Sequence, residues 1–237
     1  MPSASDRSAL PLALALVLAS CRGEPNRHQP VSAAAPRLSA HRGAASQAPE
    51  NSLAAIRLAF ERGADGVEVD VRLSADRVPV LCHDEDTRRV AGVARRVADQ
   101  TAAELAAVDL GGGERIPTLR DALAAVPTGR ILWLDLKVEP PEVEPVLAAV
   151  PAGAPVMLQA FDIEVLIAAR RHRPELAGYW LVAGPQDRVT RLRGPIPLVV
   201  VERARAAGLA LYLWTYPDPD SARRLAPPAA IWIEAEF

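Results

Sequence analysis

Gly66-Val67-Glu68-Val69-Asp70-Val71-Arg72 is the stretch on which the reading of the fold turns. A side-chain period of two puts Val67, Val69 and Val71 on one face of a strand and Glu68 and Asp70 on the other. In a parallel strand covered by helices the valines belong under those helices. The two carboxylates then point into the mouth of a barrel, roughly 7 Å apart along the strand. Ile131-Leu132-Trp133-Leu134-Asp135-Leu136-Lys137 repeats the pattern. Its leucines alternate with Trp133, Asp135 and Lys137, which brings a third acid and an ammonium to the same inward face.

Working outward, short apolar runs alternate with helical segments, the mark of repeated βα units. Strands are expected to begin near Leu38, Val67, Ile131, Val156, Tyr179, Leu211 and Ile231, with a weak eighth near Ile196. Helices are expected over Ser52 to Arg62, with Leu53, Ile56 and Phe60 on one stripe, and over Leu119 to Val126, Glu142 to Val150, Ile163 to His172 and Val199 to Ala207. This predicts an α/β protein of the (β/α)8 barrel (TIM barrel) class, with an open doubly wound sheet as the alternative. Gly184 to Pro197 is short for a full βα unit, so a stunted sixth unit is expected there. Val67 to Leu73 and Val78 to Cys82 are too close for a parallel crossover and should form a hairpin. The segment of about residues 74–117, through Gly111-Gly112-Gly113, is then a small insertion after the second strand, on the face where barrel enzymes keep their sites.

At 237 residues, 50% hydrophobic and 24% charged, the chain can build a core of its own, which excludes disorder for most of its length. A formal net charge of -2 supplies no basic field for nucleic acid, and no protein partner is indicated. Near the start, Arg7 precedes an apolar run from Ala9 to Ala19, and Leu18-Ala19-Ser20-Cys21 resembles the bacterial lipoprotein box. Residues 1–20 are therefore expected to be a lipoprotein signal peptide and Cys21 the lipidated residue. The Pro-containing residues 21–36 form the tether, and 37–237 the body, exported and held on a bacterial membrane facing the periplasm or the exterior. With Cys21 lipidated, Cys82 has no partner for an intrachain disulfide and reads as a small buried apolar residue.

Three carboxylates, Glu68, Asp70 and Asp135, against one lysine, Lys137, leave excess negative charge in a buried place. One divalent cation, Mg²⁺ or Ca²⁺, would resolve it. A metal-free salt-bridge network is the alternative. His41 and His83 each close a strand beside this cluster, the placement of a proton-transferring pair. His172 reads as a solvated helix end.

Taken in order, His41-Arg42-Gly43, Pro49-Glu50-Asn51-Ser52, Gly63-Ala64-Asp65, Glu68-Val69-Asp70-Val71, Val80-Leu81-Cys82-His83-Asp84, Ile116-Pro117-Thr118-Leu119 and Asp135-Leu136-Lys137 resemble the glycerophosphodiester phosphodiesterase family. Gln159-Ala160-Phe161-Asp162 and Leu213-Trp214-Thr215 match later landmarks more loosely. The resemblance implies that His41 and His83 are the acid and base, that Arg42 and Lys137 hold the phosphoryl oxygens, and that Glu68, Asp70 and Asp135 bind the metal. It implies hydrolysis of a glycerophosphodiester to glycerol 3-phosphate and an alcohol, with Phe161 and Trp214 as an apolar wall for the glycerol. The family usually has Glu at the position of Asp135 and Ser at that of Ala160, and Ile233-Glu234-Ala235-Glu236-Phe237 stands in place of its usual Thr-Asp pair. Two other functions compete with this one: a phospholipase C or D acting on lysolipid or intact lipid, and a non-catalytic lipoprotein binding lipid or a partner.

Overall fold

The computed structural model describes residues 37–180, together with the backbone of residues 211–216 and 230–235. The strands are β1 (Arg37–Ala40), β2 (Gly66–Leu73), β3 (Pro79–Leu81), β4 (Asp109–Gly111), β5 (Glu114–Arg115), β6 (Ile131–Leu136), β7 (Val156–Ala160), β8 (Gly178–Trp180), β9 (Leu211–Tyr216) and β10 (Ala230–Ala235). Seven of them lie side by side in the order β8-β7-β6-β2-β1-β10-β9, every pairing parallel. The order decides the topology. In a doubly wound sheet the chain doubles back, so the strand placed beside the first on its second side comes from the middle of the chain. Here β10, the last described strand, lies against β1, with β9 beyond it, so the winding keeps one direction, as a (β/α)8 barrel requires. The open doubly wound alternative is thereby excluded. The strand expected near Ile196, the shortened unit within Gly184 to Pro197 and the helix expected over Val199 to Ala207 lie outside the described residues.

The alternation read from the sequence partitions the side chains. Val67, Val69 and Val71 of β2 and Leu132, Leu134 and Leu136 of β6 join one apolar core with Ile56, Ala59 and Phe60 of the helix Leu53–Glu61. That helix begins where Ser52 accepts a hydrogen bond from Ala55 N–H, and it ends before Gly63, whose φ of +89° a glycine adopts without strain. The register Asp70↔Asp135↔Gln159 then sets the opposite side chains in a row across three strands.

β3 pairs antiparallel with β2, Val71 opposite Leu81. Val80 and Cys82, on the other side of β3 from Leu81, pack with Val97, Leu105 and Ile116 into a second small core. An unforeseen feature is the β4–β5 hairpin, which turns through Gly111, Gly112 and Gly113, all at positive φ. From β5, Glu114 accepts a hydrogen bond from Ala54 N–H at 3.1 Å, which ties this segment to the first turn of the helix Leu53–Glu61. Among the described residues no helix is long and apolar enough to cross a membrane.

Candidate active site

Glu68, Asp70 and Asp135 are 1%, 1% and 4% exposed, and one carboxylate oxygen from each lies within 4.8 Å of the others. The parallel register does this: Asp70 and Asp135 are direct neighbours on β2 and β6, and Glu68 is one inward position below. Lys137 Nζ donates to Asp135 Oδ2 at 2.6 Å and lies 3.4 Å from Asp70 Oδ1. Asp135 Oδ1 is buried and accepts no hydrogen bond. Burial pushes the Asp135 carboxyl above its ordinary range, against the pull of Lys137. Burial disfavours the charged Lys137 amine as well, yet the Asp135 and Asp70 carboxylates hold its pKa above the usual value. Three oxygen donors with an open position on Asp135 suit a hard divalent ion.

Arg42 stands at φ +55°, just beyond β1, where the chain turns toward the acids. Its backbone N–H donates to Glu68 Oε2 at 3.0 Å, its Nη1 donates to Glu50 Oε1 at 3.1 Å, and its Nε lies 3.3 Å from Asp70 Oδ2. The next residue, Gly43 at φ +81°, packs so closely that a Cβ there would meet the Ala55 backbone at 2.6 Å. Asn51, at φ +57°, clamps Asp70 twice. Its Nδ2 donates to Asp70 Oδ2 at 2.9 Å and its Oδ1 accepts from Asp70 N–H at 3.0 Å. Asn is among the few residues that tolerate this backbone region, and its amide offers both a donor and an acceptor.

His83 follows β3 and is held from two sides. Arg72 Nε and Nη2 donate to its carbonyl at 3.0 and 2.8 Å, and its ring Nδ1 lies 2.6 Å from Asp84 Oδ1. Arg72 Nη1 also lies 3.4 Å from the Lys137 carbonyl, which joins the turn at His83 to the end of β6. Asp84 is in turn bound by Arg89 Nε at 2.6 Å, and Arg89 Nη1 and Nη2 grip Glu50 at 2.6 and 2.7 Å. Burial would raise both carboxyls, but Arg89, helped by His83 at Asp84 and by Arg42 at Glu50, holds them below their ordinary values.

His41 lies one residue beyond β1 and next to Arg42, half-buried. Phe161 is 44% exposed just past β7, with Lys137 Nζ 5.1 Å from its ring centre. Trp214 falls in β9, its side chain outside the described residues, and Cys21 lies outside them too. The structure thus brings Arg42, Glu68, Asp70, His83, Asp135 and Lys137 together. Sequence reasoning assigned no role to Glu50, Asn51, Arg72, Asp84 or Arg89. Arg72 could have been found, since it shares the parity of Glu68 and Asp70, and Asp84 by its adjacency to His83. Nothing in the sequence pairs Arg89 with Glu50.

A profile of the glycerophosphoryl diester phosphodiesterase family matches residues 41–191. The chain belongs to that family. Among members of the glycerophosphoryl diester phosphodiesterase family and their relatives, it is 40% identical to the YhdW protein of Bacillus subtilis over 113 residues, 45% of this chain and 46% of that protein. It is 40% identical to glycerophosphodiester phosphodiesterase 1 of Homo sapiens over 94 residues, 36% of this chain and 28% of that protein. These matches span less than half the length of the curated relatives. The fold is similar to that of a phosphodiesterase of Oleispira antarctica in complex with the product sn-glycerol-3-phosphate. The TM-score is 0.74 at 27% identity, covering 86% of this chain and 94% of the other.

Proposed function

We propose that this protein hydrolyses glycerophosphodiesters to glycerol 3-phosphate and an alcohol, with one divalent cation, Mg²⁺ or Ca²⁺, at Glu68, Asp70 and Asp135. One observation carries the reading: three buried acids from two strands share a point at which Asp135 Oδ1 has no hydrogen-bond donor, flanked by two cations and by an oriented imidazole. When bound, the cation neutralises charge on a non-bridging phosphoryl oxygen. Arg42 and Lys137 are held among the acids, and their charge answers the remaining phosphoryl oxygens. In hydrolysis a water oxygen bonds to phosphorus, the P–O bond to the alcohol breaks, and the departing oxygen takes a proton. His41 and His83 divide that work as acid and base. With Nδ1 engaged by Asp84, His83 offers Nε2 to the substrate. Phe161 and Trp214 form the apolar wall for the glycerol.

The reading extends to the whole chain. Residues 37–237 form a closed (β/α)8 barrel with an inserted segment at about 74–117. Residues 1–20 are a signal peptide, Cys21 carries lipid and 21–36 tether the exported body to a bacterial membrane. The substrate is a small phosphodiester, and neither nucleic acid nor a protein partner is required.

The test is product analysis on glycerophosphocholine and on a lysolipid with added Mg²⁺ or Ca²⁺. Glycerol 3-phosphate from the former, lost with a chelator and with His41→Ala, is expected. Turnover of the lysolipid alone would favour a phospholipase, and no hydrolysis of any phosphodiester with either ion would overturn the reading. Incorporation of labelled fatty acid, abolished by Cys21→Ala, tests the anchor.

A further inference from the structure

We infer that Arg89 is a positioning residue whose single guanidinium orients both His83 and Arg42 for the reaction. The inference rests on the phosphodiesterase reading above. Arg89 belongs to the short helix Arg88–Ala91, within the segment that follows the β2–β3 hairpin. Its side chain is 47% exposed, yet three of its nitrogens are committed.

Two chains of contacts leave this one cation. Along the first, Nε donates to Asp84 Oδ2 at 2.6 Å, and the other oxygen of Asp84 lies 2.6 Å from His83 Nδ1. Along the second, Nη1 and Nη2 donate to Glu50 Oε2 and Oε1 at 2.6 and 2.7 Å, and Oε1 also accepts from Arg42 Nη1 at 3.1 Å.

Each chain has a physical consequence. A carboxylate next in sequence to a histidine can rotate freely unless one oxygen is pinned. Arg89 pins Oδ2, so Oδ1 stays on Nδ1, the proton sits on Nδ1, and Nε2 is left for proton transfer. At the second site Arg89 competes with Arg42 for Glu50. Two cations share this carboxylate, so Arg89 fixes where Glu50 Oε1 stands and with it the end of the Arg42 guanidinium, whose Nε lies 3.3 Å from Asp70 Oδ2. The planar fork of arginine, which reaches two carboxylates at once, is what a lysine at this position could not supply. Among the described residues Arg72 also bears on His83, donating from Nε and Nη2 to its carbonyl.

The experiment compares the full chain with Arg89→Gln and Arg89→Lys, using Arg88→Gln on the same helix as the control. Long-range proton–nitrogen NMR of the histidine rings, assigned with His83→Gln, reads the tautomer without reference to activity. The Nδ1–H form is expected for His83 in the parent and in Arg88→Gln, and a mixture in Arg89→Gln. Kinetics on glycerophosphocholine should show kcat lowered about tenfold to a hundredfold, the usual cost of losing a group that orients another and less than the roughly 10²–10⁴-fold that general acid–base catalysis itself contributes. That loss should vanish in an Asp84→Asn background, and a rise in KM should vanish with Glu50→Gln. An unchanged tautomer in Arg89→Gln, or losses that simply add in both backgrounds, would overturn the inference. Should Arg89→Gln fail to fold, Arg89→Lys decides through the same readouts. If the parent hydrolyses nothing, the phosphodiesterase reading fails while the tautomer still decides what Arg89 does to His83.

Discussion

Gly43 shows how narrowly the residues of the site are constrained. Arg42 can turn its N–H onto Glu68 only because the next residue adopts φ +81° with nothing between it and the Ala55 backbone. Gly43→Ala adds both a disfavoured backbone conformation and a contact of 2.6 Å, so it should destabilise by more than about 1 kcal/mol. Denaturant unfolding of the two proteins side by side would show a lower midpoint at unchanged m-value. Cys82 makes the opposite point, that a residue within the family signature can be inert. Burial raises its thiol to about 11, and it packs in the small core with Val80 and Leu105. At pH 8 it should resist a thiol reagent in the folded protein and react at once in denaturant, with mass spectrometry locating the label.

Among the elements, the segment after β2 is the one that builds the site from outside the parallel sheet. It returns His83 and Asp84 to the strand ends through the β2–β3 pairing, and its helix Arg88–Ala91 reaches across to Glu50 in the loop after β1. The two carboxyls it engages, Glu50 and Asp84, have folded pKa values below their ordinary 4.5 and 3.8. A lowered carboxyl pKa contributes stability above its unfolded value, and that contribution disappears as the pH falls through the folded value. The gap in thermal midpoint between the parent and Arg89→Gln should therefore be widest above about pH 5 and close progressively below pH 4. A gap that stays constant through that range would show that these ion pairs do not link the segment to the sheet.

For the whole molecule, cation binding and folding are linked through the buried acids. Because burial raises Asp135 above its ordinary 3.8, the metal-free fold loses stability as the pH climbs through that value and up to the raised one. Only the carboxylate form is a ligand, so the stabilisation by Mg²⁺ or Ca²⁺ should grow over the same window. At one hundred times its dissociation constant the cation should add about 2.7 kcal/mol. Calorimetric scans at several pH values, with chelator and with each ion, check both the size and the pH trend. A midpoint indifferent to both ions would remove the metal from Glu68, Asp70 and Asp135.

The parities of β2 and β6 were legible in the chain itself, because side chains alternate strictly along a strand and apolar runs are confined to one face. That alternation, with the helix stripe of Ile56 and Phe60, was enough to establish repeated βα units and to collect Glu68, Asp70, Asp135 and Lys137 on one side. The winding direction was not legible, since the contact of β1 with β10 joins segments nearly two hundred residues apart and leaves no local mark. Nor were the clamp of Asn51 on Asp70 or the double grip of Arg89 on Glu50 and Asp84. Local alternation decides which way a side chain faces, but a hydrogen-bond partner brought by another loop is selected only when the packed sheet sets both groups within 3 Å.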